Sequence, residues 1–491
     1  MPNPTSDPAL DRDACYRALR TRDARFDGRF YTAVLSTGIF CRPVCPARTP
    51  RAEHCVFYPS AAAAHAAGFR PCLRCRPELA PGVAGWRGTA NTVSRALALI
   101  AEGAWGEDRD EESLAERLGV GGRQLRRLFA RHVGAPPVAV AQAQRVLFAK
   151  RLVAETALPM AEVALASGFG SLRRFNEVMR RTFGRPPRAL RRGRALEAPR
   201  GGLSLRLDHT APLAWPPLLA FLGARAIPGV EAVAGGEYRR TIAIDGALGS
   251  IAVRPAPRGG HLLAAIRVPR VAALSSVVGR LRRLLDLDAD AAAIGAHLAR
   301  DPLLAPLVAA RPGLRVPGAW DPFELAVRAI LGQQVSVAAA RTMAGRIAAA
   351  YGERGPGGAV AFPDAERLAL ARLERLGLTR ARAGAVRALA GAAARDPTLL
   401  EGRGDLEATV SRLAELPGVG RWTAHYVAMR AMREPDAFPD TDLGLLRTAA
   451  RRGLRSPGGL AKRAEAWRPW RAYAAMYLWT ADAAAPRRKG A

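Results

Sequence analysis

Four cysteines, Cys41, Cys45, Cys72 and Cys75, constrain this chain more than any other feature. They stand as CRPVC and CLRC with 26 residues between the pairs, and no cysteine follows Cys75. Two close pairs separated by a short loop can set four sulfurs at the corners of a tetrahedron, the arrangement zinc prefers. Disulfide pairing would need export, and the opening MPNPTSDPALDRDAC lacks the basic-then-apolar order of a signal peptide. Cys15 and Cys55 fall outside the pairs and read as ordinary thiols. Zinc would hold the four sulfurs as thiolates, which are nucleophilic. From these residues alone, a knuckle that only holds the fold and a site that reacts both stay open.

At 491 residues the chain is too long for one core, and three or four domains are expected. Arg or Asp interrupts every apolar run before it reaches the length of a membrane span, so a cytoplasmic protein with no membrane partner is expected. The formal net charge is +31, from 74 basic against 43 acidic residues, and lysine occurs only at 150, 462 and 489. Such an excess suggests a polyanion whose phosphates supply most of the affinity. Charge by itself leaves DNA, RNA and an acidic surface open.

The chain divides into four segments. All the cysteines lie within 1–80, and Pro81 to Gly88 reads as a linker. Residues 88–190 hold two similar units, SLAERLGVGGRQLRRLFARHVGAPP and AEVALASGFGSLRRFNEVMRRTFGRPP. Each has a short apolar helix, a Gly-containing turn and an arginine-dense helix, the order of a helix-turn-helix. In the first, Leu125, Leu128 and Phe129 form the buried stripe and leave Arg123, Arg126 and Arg127 on other faces. In the second, Leu172, Phe175 and Met179 play that part, with Arg173, Arg174 and Asn176 pointing elsewhere. One basic helix can simply be solvated; two in tandem on a strongly positive chain point to DNA. Residues 203–300 alternate strand patterns (LSLRLDH, EYRRTIAI, GSIAVRPA, HLLAAIRV) with a helix from about Trp215 to Ala226, an α+β segment. From about 271 the chain reads as helical to near Asp482, the last segment being 301–485, and the tail APRRKGA reads as frayed.

RFYTAVLSTGIFCRPVCPAR and GFRPCLRCRPE resemble the N-terminal domain of the Ada-type DNA alkylation-repair regulators over residues 11–78. The likeness continues through the paired units, which look like the AraC-type module of that family. It implies one zinc ion, and that Cys41 accepts a methyl group from a methylphosphotriester in DNA, once per molecule. It also implies transcriptional regulation with RNA polymerase as a partner. Two helix-turn-helix units in one chain span two groove segments, so a monomer is expected. Methylation would make the thiolate cluster about one unit less negative and strengthen operator binding. Members that also repair alkylated guanine oxygen carry a second cysteine in a PCHRV-like motif; this chain has none.

LPGVGRWTAHYVAMR, Leu416 to Arg430, sets Gly418 and Gly420 in a turn between two helical runs, whose backbone amides can face a phosphate. Alone this is a generic clamp on the DNA backbone. AFPDTDLGLLR then supplies Asp440 and Asp442, and the pair of motifs is similar to the HhH-GPD glycosylases. RPGLRVPGAWDPFELAVRAILGQQVS and WRPWRAYAAMYLW extend the resemblance, over about 203–482, to the inducible 3-methyladenine DNA glycosylase II family. It implies that Asp442 is catalytic and that Tyr426 and Trp479 hold a base extruded from double-stranded DNA, although each could be a core aromatic on pattern alone. Trp422 stands where strand-cleaving relatives place a lysine, which implies a monofunctional glycosylase with Trp422 in the substrate pocket. Gln334 stands where some members insert a leucine into the gap left by the base. A monovalent cation at the hairpin is a further implication.

The expected fold class is therefore multidomain and mainly α: a small zinc-bound α/β domain, an AraC-type double helix-turn-helix, an α+β domain and an all-α helix-hairpin-helix domain. The expected function is excision of alkylated purines together with methyl transfer to Cys41 coupled to transcription. The alternatives are a regulator whose glycosylase-like half only binds DNA, and a glycosylase that its N-terminal half merely anchors.

Overall fold

The computed structural model describes residues 10–80, 90–103, 111–191, 196–198, 201–401, 405–454, 456 and 458–484. The linker expected at 81–88 and the tail at 485–491 lie outside the described residues, as does part of the basic stretch before 203. The chain forms two compact units, one of residues 1–211 with 256–282 and the other of 212–255 with 283–491.

In the first unit, helix α1 (Arg12–Thr21) begins at Asp11, whose carboxylate accepts from the amides of Asp13 and Ala14. Strands β1 (Tyr31–Val34), β2 (Ile39–Cys41), β3 (Cys55–Tyr58) and β4 (Arg70–Pro71) form a sheet in the order β3-β1-β2-β4, with helix α2 (Ala61–Ala66) between the last two in sequence. The β1–β2 register pairs Thr32 with Cys41, which sets the first cysteine at a strand end. The parallel β2–β4 pair brings Pro71, just before Cys72, beside Phe40, just before Cys41. The sheet thus delivers both cysteine pairs to one place.

Next come α3 (Ala90–Ala101), α4 (Glu111–Leu118), α5 (Gly122–Val133), the long α6 (Pro137–Glu155), α7 (Met160–Ala166) and α8 (Leu172–Phe183). Helices α4–α5 and α7–α8 are the two expected units. Leu125, Leu128 and Phe129 are buried, and so are Phe175 and Met179. Leu172 departs from expectation: it is 44% exposed. It is the first residue after the Ser171 cap, so it lies beyond the turn that packs, and Phe183 completes the stripe at the other end.

A set of buried charges joins the cysteine module to α6. Lys150 Nζ donates to Glu78 Oε2 at 2.7 Å, and Arg76 reaches both Glu78 (3.2 Å) and Glu155 (3.1 Å). The Glu78 and Glu155 side chains are 1% and 2% exposed. Burying carboxylates costs several kcal/mol unless each finds cations and donors, and here each does. Strands β5 (Leu203–Asp208) and β9 (His261–Arg267) pair antiparallel in this unit, with the Arg206 amide donating to Glu155 Oε2 at 3.0 Å.

The second unit holds helix α9 (Trp215–Arg225) and the antiparallel strands β6 (Glu231–Ala234), β7 (Glu237–Ile244) and β8 (Ala247–Pro255). The sequence reading missed β6, which is too short to show an alternating pattern, and a small hairpin pairing Glu353–Arg354 with Val360–Ala361. The helices that position the site are α10 (Pro322–Leu331), α11 (Leu406–Ala414), α12 (Arg421–Arg430), α13 (Leu443–Arg451) and α14 (Arg471–Ala484). Arg240 on β7 bonds Glu231 at 3.1 Å and pairs with Glu324 on α10, while Arg328 on α10 returns to Glu231 at 2.9 Å. The network fixes α10 against the sheet without leaving a lone buried charge. No helix among the described residues is long and apolar enough to cross a membrane.

Candidate active site and candidate metal centre

Asp442 is the residue before α13, in an extended conformation, and its side chain caps that helix. Its Oδ1 accepts from the amides of Gly444 (2.8 Å) and Leu445 (3.1 Å) and from Trp479 Nε1 on α14 (2.8 Å). Its Oδ2 accepts from Trp422 Nε1 on α12 at 3.0 Å. Four neutral N–H groups, two of them at a helix N-terminus, hold this carboxylate in one orientation. Gly444 is closely packed: a Cβ there would lie 3.1 Å from Asp442 Oδ1 and 3.3 Å from the Trp479 ring, so both would have to shift by a few tenths of an ångström. The sequence reading passed over this glycine, although DLG placed it two residues from the carboxylate.

Trp422 and Tyr426, one turn apart on α12, stack with centroids 5.4 Å apart and planes 12° from parallel. Trp479 meets Tyr426 edge-on at 6.0 Å. Tyr426, Trp479, Trp422 and Asp442, singled out separately from sequence, are thus brought together, and the two indoles serve the carboxylate as well as the aromatic wall. Asp440, the other member of the DxD pair, lies at the end of the loop from α12 and makes no such contact in the hydrogen bonds among described residues.

Two arginines stand behind Tyr426. Arg430 Nη1 donates to its hydroxyl at 2.7 Å and is itself held by the carbonyls of Pro317 (2.8 Å) and Gly318 (3.1 Å). Arg430 also lies 4.9 Å from the centroid of Phe221, which Arg225 covers at 3.7 Å. Burial pushes the Tyr426 phenol up, but the Arg430 and Arg225 guanidiniums outweigh it and bring the group down to about 8 from an ordinary 10. Arg430 follows Tyr426 by four residues, the one spacing by which sequence could have suggested the pair. Phe221 and Arg225 come from a distant helix and gave no signal. We expect one tyrosine of the wild-type protein to ionise near pH 8 in an ultraviolet titration. The transition should vanish in Tyr426→Phe and move upward in Arg430→Met, where Arg225 remains but the hydrogen-bonded guanidinium is gone; an unchanged curve in Tyr426→Phe would refute the assignment.

The hairpin joins α11 to α12. Gly418 has φ +77, and a Cβ on it would stand 2.5 Å from Ala385 Cβ. Gly420 has φ −82 and open space around its Cβ position. Only the first glycine is demanded by the turn. Gly418→Ala should therefore destabilise by about 1–3 kcal/mol, whereas Gly420→Ala, at the N-cap of α12 with open space around it, should cost less, as melting curves would show. Gln333 ties this turn to the loop after α10, its Nε2 donating to the Gly418 carbonyl and to Thr423 Oγ1, both at 2.8 Å. Its neighbour Gln334 is exposed and left-handed, with φ +54, so its side chain projects from a strained turn.

At the other centre, ligand atoms of Cys41, Cys45, Cys72 and Cys75 all lie within 4.8 Å of one another. Four sulfurs at that spacing are the donor set of a structural zinc ion, so the residues fit the metal. The amide of Arg42 donates to Cys75 Sγ and that of Arg74 to Cys72 Sγ, both at 3.3 Å. Arg42 is anchored by a two-point pair with Asp27. Cys45, Cys72 and Cys75 are buried while Cys41 is partly exposed. Cys15 and Cys55 are buried outside the quartet, and burial pushes both thiols up to about 11, which suits inert core residues.

Among the expected DNA contacts, Arg123, Arg126 and Arg127 are exposed on α5, and Arg173 and Arg174 on α8, with Asn176 half-buried. Arg126 pairs with Glu111 at 3.1 Å and Arg174 with Glu177 at 3.4 Å, weak surface pairs that a phosphate can displace.

Four family models match successive parts of the chain. They are the metal binding domain of Ada at residues 14–78, a helix-turn-helix domain at 114–193, the AlkA N-terminal domain at 204–321 and the HhH-GPD superfamily base excision DNA repair protein at 327–471. The "Probable bifunctional transcriptional activator/DNA repair enzyme AlkA" of Mycobacterium tuberculosis is 44% identical over 481 residues, 96% of either chain. The "DNA-3-methyladenine glycosylase 2" of Escherichia coli is 38% identical over 281 residues, 56% of this chain and 95% of that one. Among solved structures, a 3-methyladenine DNA-glycosylase from Archaeoglobus fulgidus superposes with a TM-score of 0.52 at 23% identity, over 57% of this chain and 98% of the other, a likeness of fold.

Proposed function

This chain belongs to the family of bifunctional transcriptional activator/DNA repair enzymes that join an Ada-type metal-binding module to an AlkA-type glycosylase, and from that premise we propose that it both excises alkylated purines and takes up methyl groups from DNA phosphotriesters. The four-part order 1–80, 88–190, 203–300 and 301–485 belongs to this reading, with DNA as the partner of every part. RNA polymerase is the partner of the operator-bound form, the chain works as a monomer, and it acts on the cytoplasmic nucleoid.

The observation that carries the excision half is the single carboxylate held by two indole N–H groups that also line an aromatic corner. A purine alkylated on a ring nitrogen is cationic and already a good leaving group. Extruded from the duplex, it would lie against Trp422, Tyr426 and Trp479, whose electron-rich faces favour a cation. Gln334, on its exposed turn, would enter the space the base left, filling it with less apolar surface than a leucine. As the glycosidic bond lengthens, positive charge builds on the sugar, and the Asp442 carboxylate stabilises it and orients water toward the anomeric carbon. Hydrogen bonds from four donors spread that carboxylate's charge, which suits it to an electrostatic role. With Trp422 at the position where a Schiff-base lysine would stand, the product is an abasic site in an intact strand.

The hairpin amides around Gly418 and Gly420 would hold the DNA backbone beside the lesion. The monovalent cation expected at the hairpin would need its carbonyls; that of Gly418 is taken by Gln333, and nothing in this chemistry depends on an ion there.

The methyl-accepting half rests on Cys41 being the one residue of the four cysteines that is not fully buried. Cys41, Cys45, Cys72 and Cys75 would hold zinc, which when bound keeps all four as thiolates. The Cys41 sulfur attacks the methyl carbon, an S–C bond forms as the O–C bond breaks, and the electron pair stays on the phosphate oxygen. The cysteine becomes a thioether and the triester an ordinary diester. The loss of one negative charge beside the arginine-bearing helices would strengthen operator binding.

The test is to present full-length protein with two duplexes, one containing a 3-methyladenine-type base and the other a single methylphosphotriester. Release of free base from the first and one added methyl on Cys41 from the second are expected. Absence of base release leaves a regulator that only binds DNA, and absence of the methyl leaves a glycosylase that its N-terminal half anchors.

A further inference from the structure

We propose that the turn Phe183–Arg185, where the chain leaves α8, forms part of the methyl-acceptor site, and that Arg185 grips the phosphates flanking the damaged linkage. This rests on the reading of Cys41 as the acceptor.

A cavity of about 510 Å3 opens beside the cysteine quartet, lined by Cys41, Arg48, Arg70 and Arg74 from the metal-binding module and by Phe183 and Arg185 from the second helix-turn-helix unit. The turn is built into that wall. Gly184 is left-handed at φ +67, a conformation that favours glycine, and a Cβ on it would lie 3.1 Å from Nη1 of Arg70, whose side chain reaches the turn from β4. Phe183 is buried, with Lys150 Nζ 5.7 Å from its ring centroid. The same Lys150 is fixed by Glu78, three residues beyond the last cysteine. Arg185 follows directly from this glycine, is exposed, and is one of the residues that line the cavity.

The chemistry of the ligand agrees with that lining. A methylated triester is itself neutral, but its neighbours on the strand each carry a full negative charge, and four guanidiniums around one cavity suit a short run of backbone. In the displacement, charge develops on the departing phosphate oxygen, so a cation at the cavity wall lowers the barrier as well as holding the strand. Arg185 therefore joins damage detection to operator reading through one turn: the segment that ends α8 contacts the lesion.

Single-turnover methylation of full-length protein, followed by mass spectrometry of the Cys41 peptide with a methylphosphotriester duplex, tests this. Arg185→Glu should slow transfer by about tenfold or more, and Arg185→Lys should keep most of the rate. Arg185→Ala should weaken binding of that duplex and reduce the slope of log affinity against log salt by about one. Base excision and zinc content should not change in any of the three. Transfer by Arg185→Glu at the wild-type rate, or an unaltered salt slope in Arg185→Ala, would overturn the inference while leaving Cys41 as the acceptor. No methylation of the wild type would remove the underlying reading and this one with it.

Discussion

Asp442→Asn should cut excision of a cationic alkylated purine by about a thousandfold while the protein stays folded. The substitution separates two duties of one side chain. As the residue capping α13 it accepts from Gly444 and Leu445, and asparagine caps a helix about as well as aspartate. As the carboxylate bonded to both indoles of the aromatic corner it would, on the proposed mechanism, supply the charge that answers the developing sugar cation, and asparagine carries none. Asp442→Ala should show both losses, with about 1 kcal/mol of stability forfeited along with the cap. Excision rates and melting curves on the same preparations decide it. A rate within tenfold of wild type in Asp442→Asn would mean that the aromatic pocket alone drives departure of the base.

The second large effect is expected at Cys41. Cys41→Ser should abolish methyl uptake altogether, because an un-ionised hydroxyl is a far poorer nucleophile than a metal-bound thiolate. Three buried thiolates remain, enough to keep a zinc ion with water as a fourth ligand, so zinc should be retained at reduced affinity. Base excision should be unchanged, since the carboxylate and its aromatic neighbours belong to the other compact unit. Mass spectrometry, zinc analysis and excision assays on one sample give three independent readouts. A methyl found on another residue of Cys41→Ser would move the acceptor elsewhere. Stripping zinc by chelation should do more, loosening the segments that carry the four cysteines, where Ile39 and Ala47 pack against the sulfurs, while the separate core around Phe30 and Phe57 persists.

Much of this was legible in the residues. The cysteine spacing predicted a quartet because both short pairs must fold back on themselves, and β2 and β4 do bring them together. The buried stripes Leu125–Leu128–Phe129 and Phe175–Met179 followed from helical period, which is local geometry. That period failed at Leu172, because whether a first-turn residue packs depends on what the rest of the fold sets against it. Both hairpin glycines looked equivalent in LPGVG, yet only Gly418 adopts the left-handed conformation and meets Ala385.

The sequence by itself determined which chemical groups are present and the local elements that carry them: four thiols in two close pairs, two basic helices, one carboxylate at a helix start. Those signals act over a few residues, where chain geometry is fixed. The tertiary structure alone decided what surrounds them. It set Trp479 and Trp422 on the two oxygens of Asp442, placed Arg225 beside Tyr426, and put Arg185 in the wall of the Cys41 cavity. Such neighbours are more than a hundred positions apart in the widest cases, and no periodicity or spacing rule reaches that far, because packing is settled by the whole core at once.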